Sequence, residues 1–218
     1  MPLSWLPDFV AVDIETSGLA AQEDDLLEIA GVRFVAGEPV DRFTTTLQST
    51  HALGQRTARM TGLTDLALAE GLPAMEAVRA LDAFAASHPL VAHNVSLDRE
   101  FLVRFSQNLD GVDFTDNPWW DSLELAALVF PELDSLALEH VATALGIQVN
   151  VTHRAEADAE LAGRVFAGLF ARIADHWPPH LIATVREQFL AGHPFGTILR
   201  GLVLPNGAPG PRGFRAGD

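Results

Sequence analysis

The sequence predicts an α/β fold in which helices flank a mixed β-sheet. Two observations favour this class: three apolar, β-rich segments come first, and helical and strand-like segments then alternate along the chain. The chain has 218 residues, of which 48% are hydrophobic. It is therefore long and apolar enough for one domain with a sizeable core.

The first three strands are predicted at 9–15, 26–35 and 41–47. The first of them, FVAVDIE, is apolar and β-rich, with Pro7 before it and a Ser-Gly pair after it. A Gly-Glu-Pro break at 37–39 is a turn signal between the second and third segments. These strands are expected to form an antiparallel meander.

Helices and short strands alternate along the rest of the chain. Apolar residues recur at helical spacing in the first of these helices, as at Val78 and Leu81. Ser96 is a candidate N-cap, Pro131 stops one helix and Gly146 another. In chain order we predict a helix at 73–87, a strand at 90–93, a helix at 97–105, the end of a strand at 119–121, and helices at 122–130, 136–146, 155–173 and 178–190.

Glycine, proline and arginine accumulate from Gly192 onward. This composition is typical of a flexible tail or of a linker to another domain.

The composition excludes several classes of protein. The chain contains no cysteine, so disulfides, cysteine-ligated zinc sites and thiol catalysis are excluded. No apolar stretch approaches the about 18 residues of a membrane span, and the N-terminus lacks the basic start and apolar run of a secretion signal. We therefore expect a cytoplasmic protein.

The net charge of −15 argues against a protein that coats nucleic acid along its length, because such binding depends on many phosphate contacts. It does not exclude an enzyme that grips only the end of a strand. Since long-range attraction to DNA is expected to be poor, a partner protein would deliver the substrate.

Asp13 and Glu15 lie two residues apart on the first predicted strand. Side chains alternate across a strand, so both acids point to one face, whereas Val12 and Ile14 point to the other. Two neighbouring acids in the middle of a sheet carry a free-energy cost from desolvation and mutual repulsion, which a bound cation would offset. The alternative is an exposed edge strand with solvated acids.

Asp98 falls in the first turn of a predicted helix, five residues after His93. The helix dipole favours a carboxylate there, so Asp98 has a structural interpretation as well as a functional one. His93 and Asn94 end the preceding strand, a position that commonly lines a site. The alternative for both is an ordinary hydrogen-bonding role in a loop.

His153 and Asp158 are five residues apart, the first in a loop and the second in the first turn of the long helix. They face one cleft if the loop folds back. Glu156 and Glu160 lie near Asp158, so a solvated acidic face is the competing interpretation. Arg154 either contacts phosphate or offsets these acids.

Four acids and one histidine are thus the candidates for chemistry: Asp13, Glu15, Asp98, Asp158 and His153. Carboxylate oxygens suit Mg²⁺ or Mn²⁺. Two such ions, about 3.5–4 Å apart, are the usual apparatus for cleaving a phosphodiester. The histidine is the candidate for the base that activates water.

The segment Thr16-Ser17-Gly18-Leu19 follows the first two acids. Gly18 allows a sharp turn or the close approach of a ligand. Leu19 would lie beside the metal ions, where it could stack against a base. The alternative is an ordinary turn.

Three segments carry a resemblance to a known family: VDIETSGL at 12–19, VAHNVSLD at 91–98 and HRAEAD at 153–158. They resemble the three motifs of the DEDDh branch of the DEDD exonucleases. This DnaQ-like family includes the proofreading epsilon subunit of bacterial DNA polymerase III. MTGLTD at 60–65 is similar to a further family segment, whereas Leu97 stands where the family usually has phenylalanine. The DEDDy branch uses a tyrosine, which this chain lacks.

The resemblance implies a ribonuclease-H-like fold with a central five-stranded mixed sheet. It implies that two Mg²⁺ or Mn²⁺ ions are held by Asp13, Glu15, Asp98 and Asp158, with His153 as the general base. The residues implied to meet the substrate are Thr16, Gly18, Leu19, His93 and Asn94.

The implied activity is 3′–5′ exonuclease cleavage that releases nucleoside 5′-monophosphates from single-stranded DNA 3′ ends, in proofreading or repair. The alternatives are the same chemistry on short RNA, or a non-catalytic interaction module. We predict an exonuclease domain at 8–173, a helical extension at 174–200 and a flexible tail at 201–218. Residues 174–218 are the candidate contact for a polymerase or helicase partner.

Overall fold

A five-stranded mixed sheet organises the molecule. A computed structural model describes residues 3, 5–49, 51–107, 109–115, 117–149, 153–176, 178–191, 193 and 195–202. The strands are β1 (Phe9–Thr16), β2 (Leu26–Val35), β3 (Glu38–Thr46), β4 (Leu90–Ala92) and β5 (Trp119–Asp121), in the sheet order β3-β2-β1-β4-β5. β1, β2 and β3 pair antiparallel, whereas β4 is parallel to both β1 and β5. The predicted fold class and the meander are confirmed.

Helices cover both faces of the sheet. In chain order they are α1 (Gln55–Thr61), α2 (Asp65–Ala69), α3 (Ala74–Ala85), α4 (Val95–Ser106), α5 (Ser122–Val129), α6 (Leu138–Ala144), α7 (Ala155–His176), α8 (Pro179–Leu190) and α9 (Phe195–Leu202). α7 packs on one face of the sheet, against the side of β1 that carries Phe9 and Ala11. α3 and α4 cover the other face, which carries Val10 and Val12.

The structure differs from the prediction in four principal respects. α4 begins at Val95, and its N-cap is Asn94 in a left-handed conformation rather than Ser96. The Ser96 hydroxyl instead donates to the Asn94 side chain at 3.0 Å. β3 begins at Glu38 rather than at residue 41, and Pro39 is tolerated within it because β3 is an edge strand of the sheet. The other two are the short helices α1 and α2, which the sequence analysis did not identify.

The composition from Gly192 onward is typical of a tail or linker, yet most of the next helix falls within the helical extension predicted at 174–200. α9 forms there, and Phe195 and Ile198 are buried in the core. This apolar pair, one helical turn apart, outweighs the glycine and proline content around it. Residues 203–218, most of the predicted tail, lie outside the described residues.

α8 and α9 join the core through an aromatic cluster. The rings of Trp120 and Phe189 are 4.5 Å apart, those of Phe170 and Phe189 are 5.4 Å apart, and those of Phe166 and Phe195 are 6.0 Å apart. The C-terminal helices therefore pack against the same side of the sheet as α7. Across the described part of the chain, no helix combines the length and the apolar character that crossing a membrane requires.

Candidate functional site

Asp13 and Glu15 lie side by side on the central strand of the sheet. They share a face of β1, and the residues between and before them, Ile14 and Val12, are buried in the core on the opposite face. β1 has a neighbouring strand on each side, so the alternative of an exposed edge strand is wrong. The two acids are held close together by the backbone itself.

Asp158 comes to the same place from α7. It lies in the first turn of that helix, and one carboxylate oxygen from each of Asp13, Glu15 and Asp158 lies within 4.8 Å of the other two. We call these three residues the acid cluster. Their oxygen atoms are near enough to share one cation, and all are hard donors of the kind that Mg²⁺ and Mn²⁺ prefer.

Asp98 is the buried neighbour of the acid cluster. It lies in the first turn of α4 and is 6% exposed. Burial raises the pKa of its carboxyl to about 8, against the opposing effect of backbone N–H groups at Asp98 and Ile14. Its charge in turn raises the pKa of Asp13. The structure thus brings the four predicted acids together, with three in the cluster and Asp98 beside it.

The acid cluster disfavours its own ionisation. Burial, followed by repulsion from Asp98, Asp158 and other acids, raises the pKa of Asp13 well above its usual range. Burial and the neighbouring acids raise the pKa of Glu15 to about 7. Burial is also the main cause of the raised pKa of Asp158. A bound cation would remove this penalty, because it favours the ionised carboxylates.

His153 stands at the entrance to α7, next to the acid cluster. Its backbone is in the left-handed region, with a φ of 43°, and the side chain is partly exposed. Electrostatic attraction to His153 opposes the upward shift in the pKa of Asp158. His153 is therefore close enough to Asp158 to influence its charge.

Glu156 and Glu160 face away from the cluster, toward Arg42 on β3. Arg42 Nε lies 3.0 Å from a carboxylate oxygen of Glu160, and Arg164 Nε lies 2.9 Å from the other. Glu156 is 3.9 Å from the same Arg42. The two flanking glutamates thus form a surface ion-pair network, and Asp158 is not part of it.

The side chain of His93 is held within the protein. One ring nitrogen lies 2.8 Å from the Ser122 hydroxyl and the other lies 2.8 Å from the Leu136 carbonyl. Burial lowers the pKa of His93, so the neutral ring is favoured. In this conformation a substrate contact by His93 would use ring carbon atoms. Its predicted role stays a prediction.

Asp121 ties the start of α4 to the sheet. Its carboxylate accepts the backbone N–H groups of Asn94 at 3.0 Å, Val95 at 3.1 Å and Leu123 at 2.8 Å. The residue thereby fixes the turn that leads from β4 to Asp98. The sequence analysis did not single out Asp121, although its place directly before a predicted helix is a signal for capping.

The Thr16–Leu19 segment is a braced turn at the end of β1. Thr16 Oγ1 donates to the Gly18 carbonyl at 2.5 Å, and the Asp24 side chain bonds to Ser17 Oγ at 3.1 Å. Asp24 also accepts the backbone N–H of Ala20 at 2.8 Å. Leu19 is 80% exposed on this rigid support. The predicted contact of Leu19 with a base stays a prediction.

We expect Gly18→Ala to lower the free energy of unfolding by about 1–3 kcal/mol, the usual cost of overpacking. A β-carbon at Gly18 would lie 2.4 Å from a carboxylate oxygen of Asp24, which is already held by hydrogen bonds. Urea denaturation measures the change. The control is Gly196→Ala, where a β-carbon meets nothing within 4 Å. If Gly18→Ala has the same free energy of unfolding as the original protein, the Asp24 side chain can move away from the added β-carbon without cost.

Glu28 is the second acid that the sequence analysis did not single out. It is 2% exposed and pairs directly opposite Glu15 in the β1–β2 register. Both of its oxygens bond to Arg154. Arg154 therefore pairs with Glu28 rather than with the flanking glutamates. A single acid within the apolar strand LLEIAGVRFV was the signal that could have found it.

Comparison with known proteins identifies the family of this chain. The family model described as exonuclease (RNase_T) matches residues 10–166. The DNA polymerase III PolC-type of Oceanobacillus iheyensis is 36% identical over 167 residues, which cover 77% of this chain. The match covers 12% of that relative's own length, so the chain corresponds to a small part of the polymerase.

Solved structures share the fold. Exonuclease X in complex with 5′ overhanging duplex DNA aligns with a TM-score of 0.63 and 18% identity, over 81% of this chain and 98% of that one. E. coli Exonuclease I in complex with a dA16 oligonucleotide aligns with a TM-score of 0.63 and 19% identity, over 83% of this chain and 43% of that one. With the family match over residues 10–166, the chain belongs to the DnaQ-like exonuclease family that its three motifs resemble.

Proposed function

We propose that the chain is a metal-dependent 3′–5′ exonuclease that releases nucleoside 5′-monophosphates from DNA 3′ ends. The observation that carries this proposal is the acid cluster, in which oxygens of Asp13, Glu15 and Asp158 lie within 4.8 Å of one another on a buried scaffold. Asp98 and His153 stand beside it. Because all five predicted positions are filled, the alternative of a non-catalytic interaction module has no support.

The donor set fits Mg²⁺ or Mn²⁺. It consists of carboxylate oxygens that repel one another. Arg154 lowers the pKa of Glu15 by its positive charge, but its side chain is bonded to Glu28 rather than to the cluster. Asp13, Glu15, Asp98 and Asp158 would hold two ions. When bound, the ions supply positive charge to the reacting phosphate and to the water that attacks it.

His153 would act as the general base. It lies directly before α7, near enough to Asp158 to influence its charge, and it is partly exposed. In the proposed reaction the imidazole takes the proton of the attacking water, and the 3′ oxygen of the shortened strand departs. The products are a nucleoside 5′-monophosphate and a new 3′ hydroxyl.

The braced turn would receive the terminal nucleotide. Leu19, 80% exposed, would stack on the base of the terminal nucleotide. Thr16 and Gly18 would lie beside that nucleotide, where Gly18 allows it to come close to the protein backbone. Asn94, at the start of α4, and His93, which precedes it, would contribute further contacts. These roles are proposals derived from the family resemblance and the position of each residue around the cluster.

Replication is the setting that the relatives favour. The relatives named DNA polymerase III PolC-type suggest proofreading, and two fold neighbours were solved with DNA. We propose a polymerase or helicase partner bound through residues 174–218. Since Val185 and Phe189 are buried, this contact would use outward-facing side chains such as Leu190, which is 67% exposed. A cytoplasmic location remains our prediction.

A gel time course on matched 3′- and 5′-labelled DNA and RNA oligomers tests the proposal. Each oligomer is incubated with Mg²⁺, Mn²⁺ or EDTA. We expect a ladder that shortens from the 3′ end, requires the metal and is faster on DNA. Faster cleavage of RNA would assign the same chemistry to short RNA. Shortening from the 5′ end, or equal cleavage in EDTA, would contradict the mechanism.

His153→Ala is expected to lower kcat by about 10²- to 10⁴-fold, the usual contribution of a positioned general base. The acid cluster stays intact in this variant, so Mg²⁺ should still raise the melting temperature. His140→Ala, at an exposed position on α6, is the control and should retain full activity. Unchanged kcat in His153→Ala would remove the histidine from the chemistry.

A further inference from the structure

Glu28 is a buried carboxylate for which the proposed mechanism has no role. It lies on β2, directly opposite Glu15 in the antiparallel register, and it is 2% exposed. A carboxylate in such a place is costly unless it is paired and hydrogen-bonded. Its bonding partners therefore indicate what it does.

Both oxygens of Glu28 are bonded to the two residues that follow His153. Arg154 Nε lies 3.1 Å from each oxygen, and Arg154 Nη2 also donates to Oε1. The backbone N–H of Ala155 donates to Oε2 at 2.9 Å. One carboxylate thus fixes both a side chain and the main chain at the start of α7.

This anchoring bears directly on His153. The histidine is one peptide bond from Arg154, and its φ of 43° lies in a region that is unfavourable for residues with a β-carbon. Such a conformation persists where surrounding contacts hold it. The bonds of Glu28 to Arg154 and Ala155 fix the two residues that directly follow His153.

Stability of the fold does not account for the Glu28–Arg154 pair. The charge of Glu28 adds to the repulsion in the acid cluster, where it raises the pKa of all three members. Glu28 is buried whereas the Arg154 side chain is 47% exposed, so desolvation of the carboxylate offsets much of the attraction within this pair. An added acid beside an acid cluster is better explained by what it holds in place.

We propose that Glu28 is a positioning residue, which through Arg154 and the Ala155 amide holds the His153 segment with the imidazole toward the acid cluster. This inference rests on the proposed role of His153 as the base. The bonds that Glu28 makes are all internal, so loss of its charge should lower kcat and leave KM nearly unchanged.

Glu28→Gln is the first test variant, because it keeps the side chain's size and an acceptor oxygen. We expect kcat to fall by about 10- to 100-fold, as when a supporting residue behind a reactive group is lost. Glu160→Gln is the matched control: it makes the same change at an arginine-paired glutamate on α7, away from His153. The control should keep the original kcat.

A double-mutant cycle separates positioning from a general structural role. In the His153→Ala background, Glu28→Gln should lower kcat by less than about twofold, because the residue that it positions is gone. If Glu28→Gln does not fold, Glu28→Gln combined with Arg154→Met enters the same cycle. That pair of changes removes both charges together, which proteins tolerate better than the loss of one.

Four outcomes would overturn the inference. Equal losses of kcat with and without His153 would mean that Glu28 acts on the fold or on the acids. A raised KM with unchanged kcat would mean that Arg154 contacts the nucleic acid instead. If Glu28→Gln has normal kinetics while His153→Ala has a lowered kcat, the positioning role of Glu28 is refuted and the proposed role of His153 stands. An inactive wild-type protein would refute the proposed function itself, and the positioning role with it.

Discussion

Asp13→Asn is expected to reduce the rate of 3′-end cleavage by at least about 10³-fold, because metal-assisted charge stabilisation contributes several kcal/mol to such reactions. Asp13 occupies the centre of the site. It is a member of the acid cluster, and Asp98, Asp158, Glu15 and Glu28 all raise its pKa. Asn at this position would therefore remove the carboxylate that lies among the other acids and would share a bound cation with them.

The same change should stabilise the protein in EDTA. Burial and four neighbouring acids disfavour the ionised form of Asp13, and asparagine of nearly equal size removes that charge. For a chain of this length, each kcal/mol gained raises the melting temperature by about 2–4 °C. A loss of activity together with a gain in stability is the result expected for a residue whose role is catalytic rather than structural.

Kinetics and thermal unfolding in EDTA, on the same preparation, measure both effects. Asp110→Asn is the control, since Asp110 is exposed and lies outside the acid cluster. It should change neither quantity. An active Asp13→Asn variant would show that the metal-ligand assignment is wrong, and a destabilised one would show that the repulsion is already relieved in the free protein.

The second large effect is expected in the pH dependence of stability. In EDTA the melting temperature should fall by several degrees between pH 6 and pH 9, because folded Glu15 and Asp98 have pKa values of about 7 and about 8. Unfolded carboxyl groups ionise near pH 4. The folded state thus holds these protons more tightly, and the stability that they contribute is lost as the pH rises through 7 and 8.

Mg²⁺ should reverse this trend. The ions bind ionised carboxylates, so the increase in melting temperature on adding Mg²⁺ should be larger at pH 8.5 than at pH 6. The comparison needs four melting curves, two pH values with and without the metal. Asp98→Asn should show a smaller fall in EDTA. A melting temperature independent of pH and of Mg²⁺ would contradict the assignment of these acids to a cation site.

The sequence was sufficient for the sheet and the principal acids because local patterns encode them. The alternation of VDIE places Asp13 and Glu15 on one face and Val12 on the other, and the structure agrees. Long helices such as α7 follow from their amphipathic period. Asp98 and Asp158 were found because short motifs surround them, although only the fold shows that they meet.

What the sequence left hidden depends on contacts between distant segments. Glu28 and Arg154 are 126 residues apart, and nothing local to either one indicates the bond. The left-handed backbone at Asn94 follows from its bond to Asp121, which lies 27 residues away. α1 and α2 are too short for a clear period, and tertiary packing around Leu27 and Leu63 decides them.

The aromatic cluster determines how far a recombinant fragment of this chain must extend toward the C-terminus. The family match ends at residue 166, yet Phe189 and Phe195 lie against Trp120 and Phe166 within the same core. A recombinant fragment cut at the end of the family match would open this face and leave large apolar rings in water. Fragments for expression, fusion or crystallisation should therefore extend beyond Ile198, which is fully buried.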